Sequence, residues 1–271
     1  MLLDQNSLPM RDYHKAKRLM WDPQDLDFSQ DKRDWEGFDE RERSLVKRAL
    51  TLFWGGETSV TDDLSPLMVA LKREGGHLEE VMFLTTQLFE EAKHVEFFDR
   101  ALGEVIGDAP ALEPLAGENY NRLFQELGTA LETLLTDHST KAQTRAVASY
   151  HMIVEGVLAE TGYYAIFKAM RARNLMPALT QGLEYLQRDE ARHIAFGLHL
   201  LGRLISADLT LWDVVDGQLN KLLPLAQGVY FEVLSPFAPN IPFGLDLGDV
   251  LEVAGKHYFA RVGVLERARH S

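Results

Sequence analysis

Two tetrads, Glu91-Ala92-Lys93-His94 and Glu190-Ala191-Arg192-His193, combine the carboxylate and imidazole donors that hold divalent metals. Residues three apart on a helix share a face about one turn apart, so each Glu-x-x-His tetrad can place both donors on one ion. Each tetrad also has a solitary glutamate upstream. Glu57 lies 34 positions before Glu91, and Glu155 lies 35 before Glu190. The chain thus repeats glutamate, long gap, Glu-x-x-His almost in register, an internal duplication of two helix pairs. A third tetrad, Glu74-Gly75-Gly76-His77, falls on a Gly-Gly break and reads as solvated surface.

The elements that must carry these donors are legible as apolar stripes. Val46, Leu50, Phe53, Val60, Leu64, Leu67 and Leu71 step by threes and fours once Glu57 is counted, which predicts a helix with one buried stripe. A second stripe takes Val81, Leu84, Leu88, Val95, Phe98, Leu102 and Val105, interrupted by Glu91. A third helix, from about Lys141 to Arg173, is apolar nearly all round between Ala146 and Phe167 and contains Glu155, so it is expected to be central. The fourth runs Leu179, Leu183, Leu186, Glu190, His193, Gly197, Leu201 and Leu204. Breaks fall at Gly75-Gly76, at Gly107-Asp108-Ala109-Pro110 and at the turn from Asn174 to Pro177. A shorter helix from about Pro114 to Leu135 joins the halves. A fifth follows the Ser206-Ala207-Asp208 cap through Leu219, and a last one near Gly248 to Arg267 follows a loop holding Pro236, Pro239 and Pro242. Met1 to Trp21 reads as an ordered arm or loop. No useful period-two pattern occurs. The prediction is an all-α fold in one domain, residues 1–271, with an arm at 1–35, metal-binding helices at 36–205 and C-terminal helices at 206–271.

All four glutamates occupy stripe positions where apolar residues are expected. Bare carboxylates buried there would cost several kcal/mol each unless cations neutralise them, and two divalent ions balance four glutamate charges. Six ligands, Glu57, Glu91, His94, Glu155, Glu190 and His193, suit a carboxylate-bridged dinuclear site inside a four-helix bundle. Oxygen-rich ligation with imidazole favours iron and manganese over copper or structural zinc, and affinity order alone favours two irons.

Composition narrows the remaining classes. A net charge of -13 argues against a nucleic-acid surface and against an anionic membrane. The absence of cysteine removes disulfides, thiolate metal sites, iron-sulfur clusters and thiol nucleophiles together. No Gly-x-Ser-x-Gly elbow or glycine-rich phosphate loop appears. Neither a signal-peptide apolar run nor a membrane-spanning stretch is present, so the expected location is the cytoplasm.

Taken together, the residues resemble the ribonucleotide reductase small-subunit (R2) superfamily of the ferritin-like fold, and more closely its R2-like ligand-binding oxidases. The resemblance runs from Trp21-Asp22-Pro23 through the helices after His193. It is carried chiefly by the stretch from Tyr150-His151-Met152-Ile153-Val154-Glu155 to Tyr163, and by Arg188-Asp189-Glu190-Ala191-Arg192-His193. It implies that Glu57, Glu91 and His94 bind a first metal, manganese, and that Glu155, Glu190 and His193 bind a second, iron, with Glu91 bridging. It further implies O₂ activation for two-electron C–H oxidation, a bound long-chain fatty acid, a self-generated ether between Val60 and Tyr150, and a homodimer. Val60 lies three residues after Glu57 and Tyr150 five before Glu155, so both can border the site.

Two other readings stay open at this point. A radical-generating R2 subunit usually carries a tyrosine four residues after the first histidine. Phe98 stands there. Such subunits also end in a flexible tail with a tyrosine, whereas Arg261 to Ser271 reads as a basic helix and the nearest tyrosine is Tyr258. Ferritin-type iron storage fits less well, because 64 positions separate Glu91 from Glu155 and helices continue past His193.

Overall fold

The computed structural model describes residues 3–107 and 111–269. These residues form helices and loops, with no strand among them. Four long rods make the central bundle. The first is α3, which follows α1 (Leu8–Arg18) and α2 (Ser29–Gly37) and spans Glu40–Asp63 behind an Asp39/Glu42 capping box. After α4 (Ser65–Glu74), α5 (Leu78–Ala101) supplies the second rod. After α6 (Glu118–Thr133), the third rod is composite: α7 (Thr140–Val147), a π-helical segment Ala148–Ala159, then α8 (Glu160–Arg171). The fourth is α9, Pro177–Ala207. α3 packs on α5, α5 on α9, and α9 on the π segment, while α10 (Leu211–Leu234) and α11 (Leu247–Arg269) cover the outer side of the π segment.

All eight stripe positions of α9 are buried, including Glu190, His193 and Gly197. The π segment is buried from Ala148 through Val157, as its all-round apolarity predicts. Its wide turn brings the His151 carbonyl to within 2.8 Å of where a Cβ on residue 156 would lie, so only glycine fits at Gly156 without a shift.

Four expectations are corrected. Residues 8–18 of the predicted arm form α1, which begins with Pro9 in its first turn and packs on α5. Its buried face is Pro9, Met10, Asp12 and Ala16, too small and polar to read as a stripe. The first stripe spans two helices, because Pro66 has no N–H to continue α3, although Leu64, Leu67 and Leu71 stay in phase and are fully buried. The third stripe is continuous but π-helical over the residues that carry Tyr150 and Glu155. The fifth helix extends to Leu234, running through Pro224 rather than ending near Leu219. Tyr258 lies within α11 and packs on the core. Asp108, Ala109 and Pro110 of the predicted break, and His270 and Ser271 of the tail, lie outside the described residues.

Candidate metal centre

Each rod delivers its donors to one point. Glu57 comes from α3, Glu91 and His94 from α5, Glu155 from the π segment, and Glu190 and His193 from α9. None of the six side chains belongs to a residue more than 6% exposed. Their ligand atoms form two groups, Glu57/Glu91/His94/Glu190 and Glu91/Glu155/Glu190/His193, each within 4.8 Å. Glu91 and Glu190 therefore each belong to both groups, whereas the family resemblance implies a bridge by Glu91 alone. Glu74 and His77 lie apart, part-exposed and 3.3 Å from each other, with Glu74 held at 2.6 Å by Arg203.

The donor set fits divalent cations on three observations. His94 Nδ1 faces oxygens of Glu57, Glu91 and Glu190 at 3.5 Å, and His193 Nδ1 faces oxygens of Glu91, Glu155 and Glu190 at 3.0–3.6 Å. Yet both Nδ1 atoms, with Glu155 Oε2 and Glu190 Oε2, are buried without a hydrogen-bond partner. The donors thus converge on shared points rather than on one another, as ligands around a cation do. Lastly, each imidazole turns its Nε2 outward to a carboxylate, His94 to Asp189 at 3.4 Å and His193 to Glu90 at 3.0 Å. An Nε2–H donated there leaves the Nδ1 lone pair aimed inward.

The electrostatics show what the cluster requires. Burial pushes Glu57 and Glu190 up to about 7 and Glu155 up to about 8. For Glu155 the neighbouring Glu190 charge adds to the rise. Burial also opposes ionisation of Glu91, but the His193 and His94 imidazoles outweigh it and hold that carboxyl well below its usual range. Both histidines are in turn pushed well above theirs: burial opposes their charge, and the surrounding carboxylates override it. The carboxylates ionise only as far as positive partners accompany them.

Tyr150 and Val60 border this centre. The Tyr150 hydroxyl donates to Glu91 Oε1 at 2.6 Å, and both residues line the cavity that the four glutamates close at one end. That cavity, about 140 Å³, passes between Leu50, Phe53, Ile166 and Met170. Its other hydroxyls are committed to backbone carbonyls, Tyr120 to Leu52 at 2.8 Å and Tyr230 to Leu158. Hydrogen-bonding capacity is thereby concentrated at the glutamate end. Phe98 is fully buried and stacks on Phe53 at 5.2 Å, and Phe53 stacks on Tyr163 at 5.2 Å.

Sequence reasoning assigned no role to Gln87, Glu90, Lys93, Asp189 or Arg192, all of them buried. Gln87 donates to Tyr150 Oη at 3.3 Å and to Glu155 Oε1 at 3.2 Å. Asp189 Oδ2 accepts from Trp21 Nε1 at 2.7 Å and from Lys93 at 3.1 Å. The available signal was adjacency: Glu90, Lys93, Asp189 and Arg192 each directly precede one of the tetrad residues, and one helical step of about 100° turns them to the flank of the buried stripe. His151, read as core or surface, is core, in contact with Gln87 through Nε2.

A family description of the ribonucleotide reductase small chain matches residues 10–214. The chain belongs to that family. Among solved structures, this small-chain family member is similar to an R2-like ligand-binding oxidase with aerobically reconstituted Mn/Fe cofactor, with 34% identity and a TM-score of 0.91 over 97% of this chain and 94% of the other. A valine-to-isoleucine variant of such an oxidase, also reconstituted aerobically with Mn/Fe, gives 33% identity and a TM-score of 0.91 over 97% and 95% of the two chains. A tyrosine-to-phenylalanine variant gives 33% and 0.92 over the same shares. The fold is that of the R2-like oxidases.

Proposed function

We propose that the chain is an O₂-activating oxidase with a manganese and an iron ion held by Glu57, Glu91, His94, Glu155, Glu190 and His193. The observation that carries this reading is the pair of buried, hydrogen-bond-free Nδ1 atoms converging with four carboxylates inside a family whose solved oxidases carry Mn/Fe. Glu57, Glu91 and His94 would hold the manganese and Glu155, Glu190 and His193 the iron, with Glu91 and Glu190 each lying within both donor groups. When bound, the two ions supply electrons to O₂ and the oxidising power for an unactivated C–H bond.

The protein's own contribution is positional. Glu91 fixes the Tyr150 phenol by accepting its 2.6 Å hydrogen bond, and Gln87 donates to the phenol oxygen from its other side. The apolar walls exclude water from the reacting volume. Joining the Tyr150 oxygen to a carbon of Val60 removes one hydrogen from each, a two-electron oxidation with O₂ as acceptor. The cavity suits a long-chain fatty acid, because its polar groups are spent on backbone carbonyls everywhere except at the metal end. The assembly is a homodimer. Of the radical-generating subunits, only the kind that stores its radical on a tyrosine is disfavoured by Phe98, whose buried ring has no hydroxyl to oxidise.

Mass spectrometry of protein loaded with both metals and exposed to air tests this reading. The expected result is the loss of two hydrogens on a linked peptide pair containing Val60 and Tyr150, with a fatty acid in the organic extract. Unchanged peptide masses would remove the ether, and metal analysis finding no bound iron or manganese would remove the oxidase.

A further inference from the structure

The two histidines are held from behind by carboxylates of unequal support. Asp189, behind His94, has three further donors: Trp21 Nε1 at 2.7 Å and Lys93 Nζ at 3.1 Å on Oδ2, and Arg192 Nη2 at 2.6 Å on Oδ1. Lys93 also sits 4.6 Å from the Trp21 ring centroid, so that side of the network is braced twice. Glu90, behind His193, has one further donor, and it is the same Arg192 Nη2. Arg192 is itself held by its Nη1 bond to the Arg188 carbonyl at 2.9 Å. Glu90, Arg192 and Asp189 are all buried, so solvent does not share the load.

We propose that Arg192 is the positioning residue for the His193 half of the centre, acting through Glu90, whereas the His94 half is secured without it. The physical reason is redundancy. Removing the guanidinium leaves the buried Glu90 carboxylate with His193 Nε2 as its one remaining hydrogen-bond partner and nothing to hold its other oxygen, free to turn from His193. Asp189 keeps Lys93 and Trp21 and stays in place. The inference deepens the proposed metal site and rests on it for its functional meaning, but its geometric core concerns the protein alone.

The test uses the full chain with ¹⁵N-labelled histidine, first stripped of metal. Exchange of the Nε2 proton is followed at His94 and His193 in the wild type, in Arg192→Gln and in Glu90→Gln, with circular dichroism to confirm the fold. Exchange at His193 is expected to accelerate at least about tenfold in both variants, with His94 unchanged within about threefold. Equal acceleration at both histidines, or none at His193, would overturn the proposal. If Arg192→Gln does not fold, Glu90→Gln, which preserves volume and an acceptor, carries the test alone. In a parallel cobalt(II) titration, the second binding step of Arg192→Gln should weaken about 10–100-fold while the first holds. Cobalt failing to bind even the wild type would count against the metal site and leave the proton-exchange result to judge Arg192.

Discussion

At the scale of single residues, burial and charge decide what each side chain does. Glu91 contributes to both donor groups, so Glu91→Ala is expected to reduce bound metal from two ions per chain to less than one, measured by elemental analysis after reconstitution. Retention of both ions would refute its bridging part. His151 shows a different consequence of burial. Its imidazole is pushed down from 6.5 to about 3, first by burial and then by the His193 charge, and its Nδ1 has no hydrogen-bond partner. Below its ordinary value the unfolded chain takes up a proton that the folded protein refuses. Stability is therefore lost as pH falls from 6.5 toward 3, with a slope approaching about 1.4 kcal/mol per pH unit from this group. In His151→Gln, which does not titrate, the pH dependence of urea unfolding between those limits should be shallower; an unchanged slope would show that His151 is protonated in the fold.

At the scale of elements, the close approach of α9 to the π segment sets how precisely donors from the two rods meet. A Cβ at Gly197 would lie 2.2 Å from His151 Cβ, a contact that side-chain rotation cannot relieve. Gly197→Ala should thus separate the two rods and destabilise by about 1–3 kcal/mol, with weaker metal binding because Glu155 and Glu190 ride on opposite sides of that contact. Denaturant unfolding together with metal titration checks both effects. Wild-type stability in this variant would mean that the packing is looser than 2.2 Å implies. The helices themselves were legible because their buried stripes step at threes and fours. The π segment was not, since its all-round apolarity has no phase to betray the extra residue per turn. α1 escaped for the opposite reason, its buried face being proline, alanine, methionine and aspartate.

At the scale of the molecule, the bundle encloses an anionic centre, and cations that bind only the folded chain must stabilise it. Loading to a thousandfold above the dissociation constant contributes about 4 kcal/mol per site. Chelation should therefore lower the thermal midpoint measurably, and returning the metals should restore it; equal midpoints would mean that the carboxylates are neutralised by protons alone. No helix among the described residues is long and apolar enough to cross a membrane.

What the amino-acid order determined by itself was the donor set and its dyad spacing, because a charge placed in an apolar stripe is conspicuous wherever the helix later packs. The tertiary structure alone decided that Glu190 shares in both halves, that Tyr150 donates to Glu91, and that Glu90, Asp189 and Arg192 stand behind the imidazoles. Those facts depend on which helix faces which and at what rotation. Helical periodicity fixes where a side chain points from its own axis, but not what it meets across the gap.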